Sequence, residues 1–207
     1  MSRTVVVNPV TRIEGHAKVH VTLGDDGHVE DARLQVLEFR GFERFVRGVQ
    51  VETMPTLLTR ICGTCPHAHH LAAAKCLDRV FDVPPPKAAI LQRKLLNFGS
   101  FIHSHAIHFF ILSGPDFFLA SDTTPAKRSV VGLLEVAPEL GKAALKLRTI
   151  GQRIAQLVGG RGTHPVTAIA GGMSSALRLE QRDTLRALTT EALALSRECV
   201  RGGKEAL

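Results

Sequence analysis

The sequence predicts an α+β chain that is mainly helical, with a short antiparallel β unit over residues 1–40 and a helical body over 41–207, together one domain. Three observations carry this. Residues 16–36 alternate apolar and polar side chains with the period of a half-buried strand. After Arg40-Gly41 the texture turns helical. Proline and glycine clusters then punctuate the chain at spacings that suit long helices.

Each element follows from local signals. "HAKVHVTLG" (16–24) sets Val19, Val21 and Leu23 against His20 and Thr22. Asp25-Asp26-Gly27 supplies a turn, and "HVEDARLQVLEF" (28–39) runs back with Leu34 and Val36 on one face, giving a hairpin or small meander. "FERFVRGV" (42–49) and "ETMPTLLTRIC" (52–62) read as short helices. Pro66 suits the first turn of a helix running through "HAHHLAAAKCLDRVF" (67–81). "VPPP" (83–86) ends that helix and starts a long one over about 87–112, stopped by the turn signal "SGPD" (113–116). "APELGKAALKLRTIGQRIAQL" (137–157) is the next helix, closed by Gly159-Gly160. "GGRGTHPVTAIAGGM" (159–173) reads as a glycine-punctuated loop, and a last helix fills about 178–200. The chain stops at "RGGKEAL", directly after that helix, and is expected to be a fragment or one half of a longer protein.

Composition narrows the function classes. The 207 residues are 44% hydrophobic, enough for a core without staples. No apolar run reaches the length of a membrane span, and Met1–Val10 has no apolar signal region. Four cysteines, at 62, 65, 76 and 199, are too few and too clustered for a secreted disulfide framework, so a cytoplasmic, reducing setting is expected. The net charge is +7, yet the basic residues are scattered, with only short pairs such as Lys127-Arg128. No nucleic-acid stripe results. An acidic partner subunit accounts for the charge equally well.

The chemistry concentrates in "TRICGTCPHAHH" (59–70). A C-x-x-C turn puts two sulfurs on one side, close enough to hold one ion. Near a helix N-terminus the exposed N–H groups and dipole favour thiolate, and Arg60 adds a positive charge. A zinc site needs two more ligands. Cys76 and Cys199 do not offer them by position and are expected to be buried, inert thiols. A thioredoxin-type redox pair sits at a strand end, which "MPTLLTRI" does not resemble. On spacing alone, a metal site, a redox pair and neither all stand. His69, four residues after Cys65, can set its ring against that sulfur as a hydrogen-bond donor. His67 and His70 start the same helix. His103, His105 and His108 lie among Phe and Ile on the long helix and read as core or interface residues. Glu14 in "TRIEGH" ends a strand-like segment beside a glycine, where a carboxylate can face a cleft. Glu43 follows "FRGF". Taken singly, each reads as readily as a solvated turn or a helix-face charge.

Taken together, "NPVTRIEGHAKVHV" (8–21), "EFRGFERFVRG" (38–48), "RICGTCPHAHHLAAAKC" (60–76) and "GGRGTHPVTAIAGGM" (159–173) follow one another as in the large subunit of nickel–iron hydrogenases. Arg60, Cys62, Gly63, Cys65 and His69 match that family's R-x-C-G-x-C-x-x-x-H signature in full. The resemblance runs from about residue 4 to at least 180. "EFRGFE" and "SGPDFFLASDTTPAKRSVVGL" (113–133) resemble most the soluble enzymes that couple hydrogen to nicotinamide or other soluble carriers.

The resemblance implies the long-helix fold of that large subunit, together with reversible H2 oxidation at a nickel–iron centre. In the family four thiolates hold the nickel, and two of them bridge to an iron that carries carbon monoxide and cyanide. By motif position Cys62 resembles a terminal nickel ligand and Cys65 a bridging one. His69 matches the donor to the bridging sulfur, Glu14 the carboxylate taken to relay protons, and Glu43 the carboxylate of a structural magnesium site. Iron–sulfur clusters are expected in a partner small subunit, with diaphorase-type subunits as further candidates. The family's second cysteine pair, in D-P-C-x-x-C-x-x-H, is absent, so a C-terminal half or another chain must supply it. Alone, the chain is expected to be inactive and to expose apolar helix faces. Two other readings remain. One is a non-catalytic structural relative like the quinone-site subunit of respiratory complex I, or a decayed duplicate. The other is a small zinc protein.

Overall fold

The computed structural model describes residues 3–38, 40–119 and 122–205. The chain divides into two compact units, Met1–Arg47 and Gly48–Leu207. In the first, β1 (Arg3–Val7), β2 (Ala17–Leu23) and β3 (Val29–Val36) form an antiparallel meander in that order. Val5 faces Val21, Val7 and Leu34 both face Val19, and Val36 faces Ala17, so one side of the sheet is an apolar stripe. Lys18, His20, Arg33 and Gln35 occupy the other side. The turn between β2 and β3 closes through Gly27, whose φ of +80° suits a residue without a Cβ. Helix α1 (Phe42–Phe45) is a single turn, shorter than the expected 42–49, and the chain leaves the helical region at Gly48 with φ +78°. Phe39, expected at the end of β3, lies outside the described residues, as do Ala120 and Ser121 and both chain ends.

The second unit opens with three successive short turns of helix rather than one: a 3-10 turn at Val51–Thr53, α2 (Met54–Leu57) and a 3-10 turn at Leu58–Ile61. Then come α3 (Pro66–Val80), α4 (Lys87–Ala106), a π-helical stretch at Ile107–Ser113 and α5 (Gly114–Phe118). The signal "SGPD" does not stop the helical run. Pro115 falls in the first turn of α5, where a missing N–H costs no hydrogen bond. Helix α6 (Val130–Val136), which the sequence reading lacked, starts at Ser129, whose hydroxyl accepts from the Gly132 N–H at 3.5 Å. Helix α7 (Pro138–Gly159) ends on Gly160 in the left-handed region. The expected 159–173 loop contains a small hairpin, β4 (Ala168–Ile169) with β5 (Gly172–Met173). Helix α8 (Leu179–Glu205) completes the unit.

The core lies between α4, α7 and α8. Leu147, Ile150, Ile154 and Val158 of α7 are buried with Leu96 and Ala106 of α4 and Leu185, Ala192 and Cys199 of α8. Glycine sets how close α4 and α7 come: a Cβ on Gly151 would lie 2.4 Å from the His103 nitrogen and 2.7 Å from the Gly99 carbonyl oxygen. The run Lys87–Phe118 is long and apolar enough, by length and composition, to cross a membrane. That corrects the expectation that no stretch reaches such a length. Asn97, Ser100 and three histidines interrupt it, so no unbroken apolar run marks it, yet no Lys, Arg, Asp or Glu stands between Lys94 and Asp116. One face of it is packed against α7, as in a core helix.

A buried ion pair ties α3 and α4 to the hairpin. Arg93 Nη1 donates to Asp78 Oδ2 at 2.5 Å and Nη2 to Oδ1 at 3.1 Å. Nη2 also donates to the carbonyls of Ile169 (2.7 Å) and Gly172 (3.0 Å), while the Gly171 N–H donates to Asp78 at 2.8 Å. Burial pushes the Asp78 carboxyl up, but the Arg93 and Gly171 hydrogen bonds and the Arg93 charge outweigh it and hold the net value below 3.8. The pair therefore stabilises the fold above pH 3.8 and loses its contribution as pH falls below that value.

Asp78→Asn is expected to cost about 3–5 kcal/mol at pH 7, because it leaves a buried guanidinium without its counter-charge. The gap from the parent protein should narrow as pH drops below 3.8, read by urea denaturation across that range. Gly151→Ala should lower the unfolding free energy by about 1–3 kcal/mol, read the same way, since the added methyl meets backbone rather than a movable side chain.

Candidate metal centre

The two sulfurs are carried by different pieces of chain. Cys62 ends the 3-10 turn at Leu58–Ile61 in an extended conformation, φ −140° and ψ 127°. Cys65 caps α3, with Pro66 in its first turn. The Cys65 N–H donates to Cys62 Sγ at 3.1 Å, and no disulfide joins them. One helical turn on, His69 brings its ring to the same side. The two Sγ atoms and a ring nitrogen of His69 lie within 4.8 Å of one another, and all three residues are partly exposed. Two thiolates and an imidazole are a soft-to-borderline donor set suited to nickel, iron or zinc rather than to a hard cation. The residues present therefore fit a metal, with its remaining positions open.

Arg60 stands exposed two residues before Cys62. Glu14 and Glu43 belong to the first unit. Glu14 is exposed in a bend at Arg12–Gly15 between β1 and β2, not at a strand end, and Glu43 is exposed in α1. The structure thus gathers Cys62, Cys65 and His69, with Arg60 in the same segment, and describes the two carboxylates within their own unit.

The other histidines separate by helix face. His67 is 3% exposed, and neither ring nitrogen completes a hydrogen bond among the described residues. Burial, then the nearby His103, His70 and His164, lower its pKa to about 4, weakly opposed by the Gly162 backbone. It is neutral at pH 7. His70 is fully buried between Pro55 and Ala168, and burial is the main cause of its lowered pKa. The sequence reading grouped both with His69. Helical period separates them, since His67, His70, Leu71, Ala74 and Leu77 form the buried stripe of α3 while Cys65 and His69 lie off it. On the long helix His103 is half-buried, its Nδ1 3.4 Å from the Arg148 carbonyl, and His105 and His108 are exposed.

Cys76 corrects its expectation: it is exposed on α3, not buried. Cys199 is 4% exposed, and burial together with Glu198 pushes its thiol up to about 11.

Comparisons with known proteins agree with the motif. A HoxL-like family model matches residues 4–39, and a nickel-dependent hydrogenase model matches 40–130. The chain is 45% identical over 181 residues to a component of the vhu F420-non-reducing hydrogenase of Methanocaldococcus jannaschii, covering 87% of this chain and 43% of that protein. It is 41% identical over 189 residues to NAD-reducing hydrogenase HoxS subunit beta of Cupriavidus necator, covering 88% and 39%. A crystal structure of NAD+-reducing [NiFe]-hydrogenase in the H2-reduced state superposes with a TM-score of 0.94 at 38% identity, over 99% of this chain and 46% of that one. The Ni-Fe-Se hydrogenase of D. vulgaris Hildenborough superposes at 0.77 with 33% identity, over 93% and 41%. The chain spans less than half the length of these relatives.

Iodoacetamide at pH 8 is expected to alkylate Cys76 at least about tenfold faster than Cys199, since a buried, protonated thiol is a poor nucleophile. Peptide mass spectrometry over time reads both sites.

Proposed function

The chain belongs to the nickel-dependent hydrogenase family as the N-terminal portion of its large subunit, and from that premise we propose that it supplies half the ligand set of a nickel–iron centre for reversible H2 oxidation. The observation that carries this is the convergence of Cys62, Cys65 and His69 at the start of α3, within the motif Arg60–His69. Cys62 would hold the nickel, and Cys65 would help hold both metals of a group whose iron would bear carbon monoxide and cyanide. When bound, that group supplies the site that takes up electrons from H2.

The chain's own residues do the rest. Arg60 places a positive charge in the segment that carries both sulfurs, and α3 begins at Cys65. His69, with a ring nitrogen within 4.8 Å of both sulfurs, would donate an N–H to them and withdraw charge. Glu14 takes up and passes on the proton, and Glu43 is a hard ligand suited to magnesium. The other two thiolates come from the remainder of the large subunit, and electrons leave through a small subunit with iron–sulfur clusters. Diaphorase-type subunits and a cytoplasmic setting complete the assembly. A related chain named NAD-reducing supports a soluble acceptor. Retention of both cysteines supports this reading over a structural relative of the complex I type.

The test is co-expression with maturation factors, the remainder of the large subunit and the small subunit. Each large subunit is expected to hold one nickel, and the assembly to reduce dye with H2. Cys65→Ser should remove the nickel and lower activity at least about a hundredfold, as loss of a metal ligand does. Nickel and activity retained in that variant would overturn the assignment, and one zinc per chain in place of nickel would support the zinc reading.

A further inference from the structure

We infer that His70 is a positioning residue: bonded on one edge to the segment that carries Cys62 and on the other to hairpin β4–β5, it sets the separation of the Cys62 and Cys65 sulfurs. This rests on reading the two cysteines as a metal-binding pair.

The sulfurs sit on two rigid pieces. Cys62 ends the run of turns from Val51 to Ile61, stiffened by the fully buried Thr59, whose hydroxyl donates to the Thr56 carbonyl at 2.6 Å. Cys65 begins α3. Only Gly63 and Thr64 join the pieces, and a Cβ on Gly63 would meet nothing within 4 Å. Gly63 itself therefore contributes no packing that fixes the spacing. The Cys65 N–H to Cys62 sulfur contact bridges it, but sulfur is a weak acceptor.

His70 adds a hydrogen-bonded brace where the turns pack against α3. It lies five residues into α3 from Cys65 and is fully buried. The Ala168 N–H donates to Nε2 at 2.9 Å, so Nε2 carries no proton. Nδ1 is then the protonated nitrogen, and it donates to the Pro55 carbonyl at 2.6 Å. Pro55 belongs to α2, within the piece that ends in Cys62. On the far side, Ala168 starts the hairpin that Arg93 and Asp78 hold to α3 and α4. With both edges bonded the ring cannot swing, and the angle between the two pieces is fixed at its Pro55 edge.

The two bonds can be removed separately. In His70→Asn the amide nitrogen stands as many bonds from Cα as Nδ1 does, so the Pro55 bond survives and the Ala168 bond is lost. In His70→Gln the amide oxygen stands where Nε2 does, so the Ala168 bond survives and the Pro55 bond is lost. Both variants should melt at similarly lowered temperatures. Only His70→Gln should disturb the sulfurs.

Capture of phenylarsine oxide by the metal-free chain reads their spacing directly, since each arsenic exchanges its oxo group, released as water, for two As–S bonds. In a Cys76→Ser background, the parent chain and His70→Asn should capture one equivalent at like rates. His70→Gln should be slower by at least about tenfold, as for other ångström-scale misplacements of reacting groups. Equal rates in all three, or equal slowing in both variants, would overturn the inference. So would 15N NMR of the parent chain showing the His70 proton on Nε2, a measurement that holds even where a variant fails to fold. Capture needs no nickel, so a failed nickel assignment leaves this outcome readable, and Cys65→Ser should abolish capture in either case.

Discussion

The second unit is organised around one buried ion pair, Arg93 with Asp78. Their side chains are 6% and 12% exposed, so each charge must find its partners inside the protein. The geometry meets that demand at the terminal nitrogens of Arg93 from α3 (Asp78) and from the hairpin (the carbonyls of Ile169 and Gly172), while Nε finds no partner among the described residues. A pair of this kind contributes little net energy against an apolar substitute, because desolvation consumes most of the attraction. What it does is forbid alternatives: any shift of α3 along α4 leaves a charge stranded. Cys65 begins the same helix that carries Asp78, so the register fixed at one end is delivered to Cys65 and His69 at the other.

Packing supports this frame from below. The close approach of α4 and α7 at Gly99 and Gly151 leaves no room for a side chain, and Ala144, Ala155 and Leu96 fill the interface around it. Helix α3 then carries Cys65 and His69, and the 3-10 turn at Leu58–Ile61 leads into Cys62, so the cluster takes its geometry from the elements that hold it. The buried stripe of α3 faces this core, and Cys65 and His69 lie off that stripe, partly exposed. One helix thus serves two purposes on two faces.

Local chemistry was legible where a single rule governed it. Alternation marked β2 and β3, Pro66 marked the start of α3, and the positions of Cys62, Cys65 and His69 marked the cluster that the structure brings together. What the sequence hid were competitions between rules. "SGPD" carries turn residues, but a proline in a first turn is also compatible with a helix, and the continuing helical run decided in favour of α5. Ser129 caps a seven-residue helix too short for its period to show against its surroundings. Cys76 was assigned to the interior by residue type, whereas its position on α3 decides exposure. The role of His70 was the least legible. Its function comes from Pro55 and Ala168, fifteen and ninety-eight residues away, and no local pattern reports such partners.

The second unit is incomplete in two independent respects. Among the described residues its candidate donor set comprises two sulfurs and one imidazole, all partly exposed. Its apolar surface is also uncovered: Leu91, Phe98 and Phe101 of α4 and Val200 of α8 are exposed, and a groove of about 760 Å3 runs between Phe101, Phe109, Leu147, Cys199 and Val200. A self-sufficient zinc protein would need neither a second donor pair nor a cover for those helices. A decayed structural relative would have no reason to keep Cys62, Cys65 and His69 converged once the metal was gone. A family whose members run to more than twice the matched length accounts for the open coordination and the bare helix faces together.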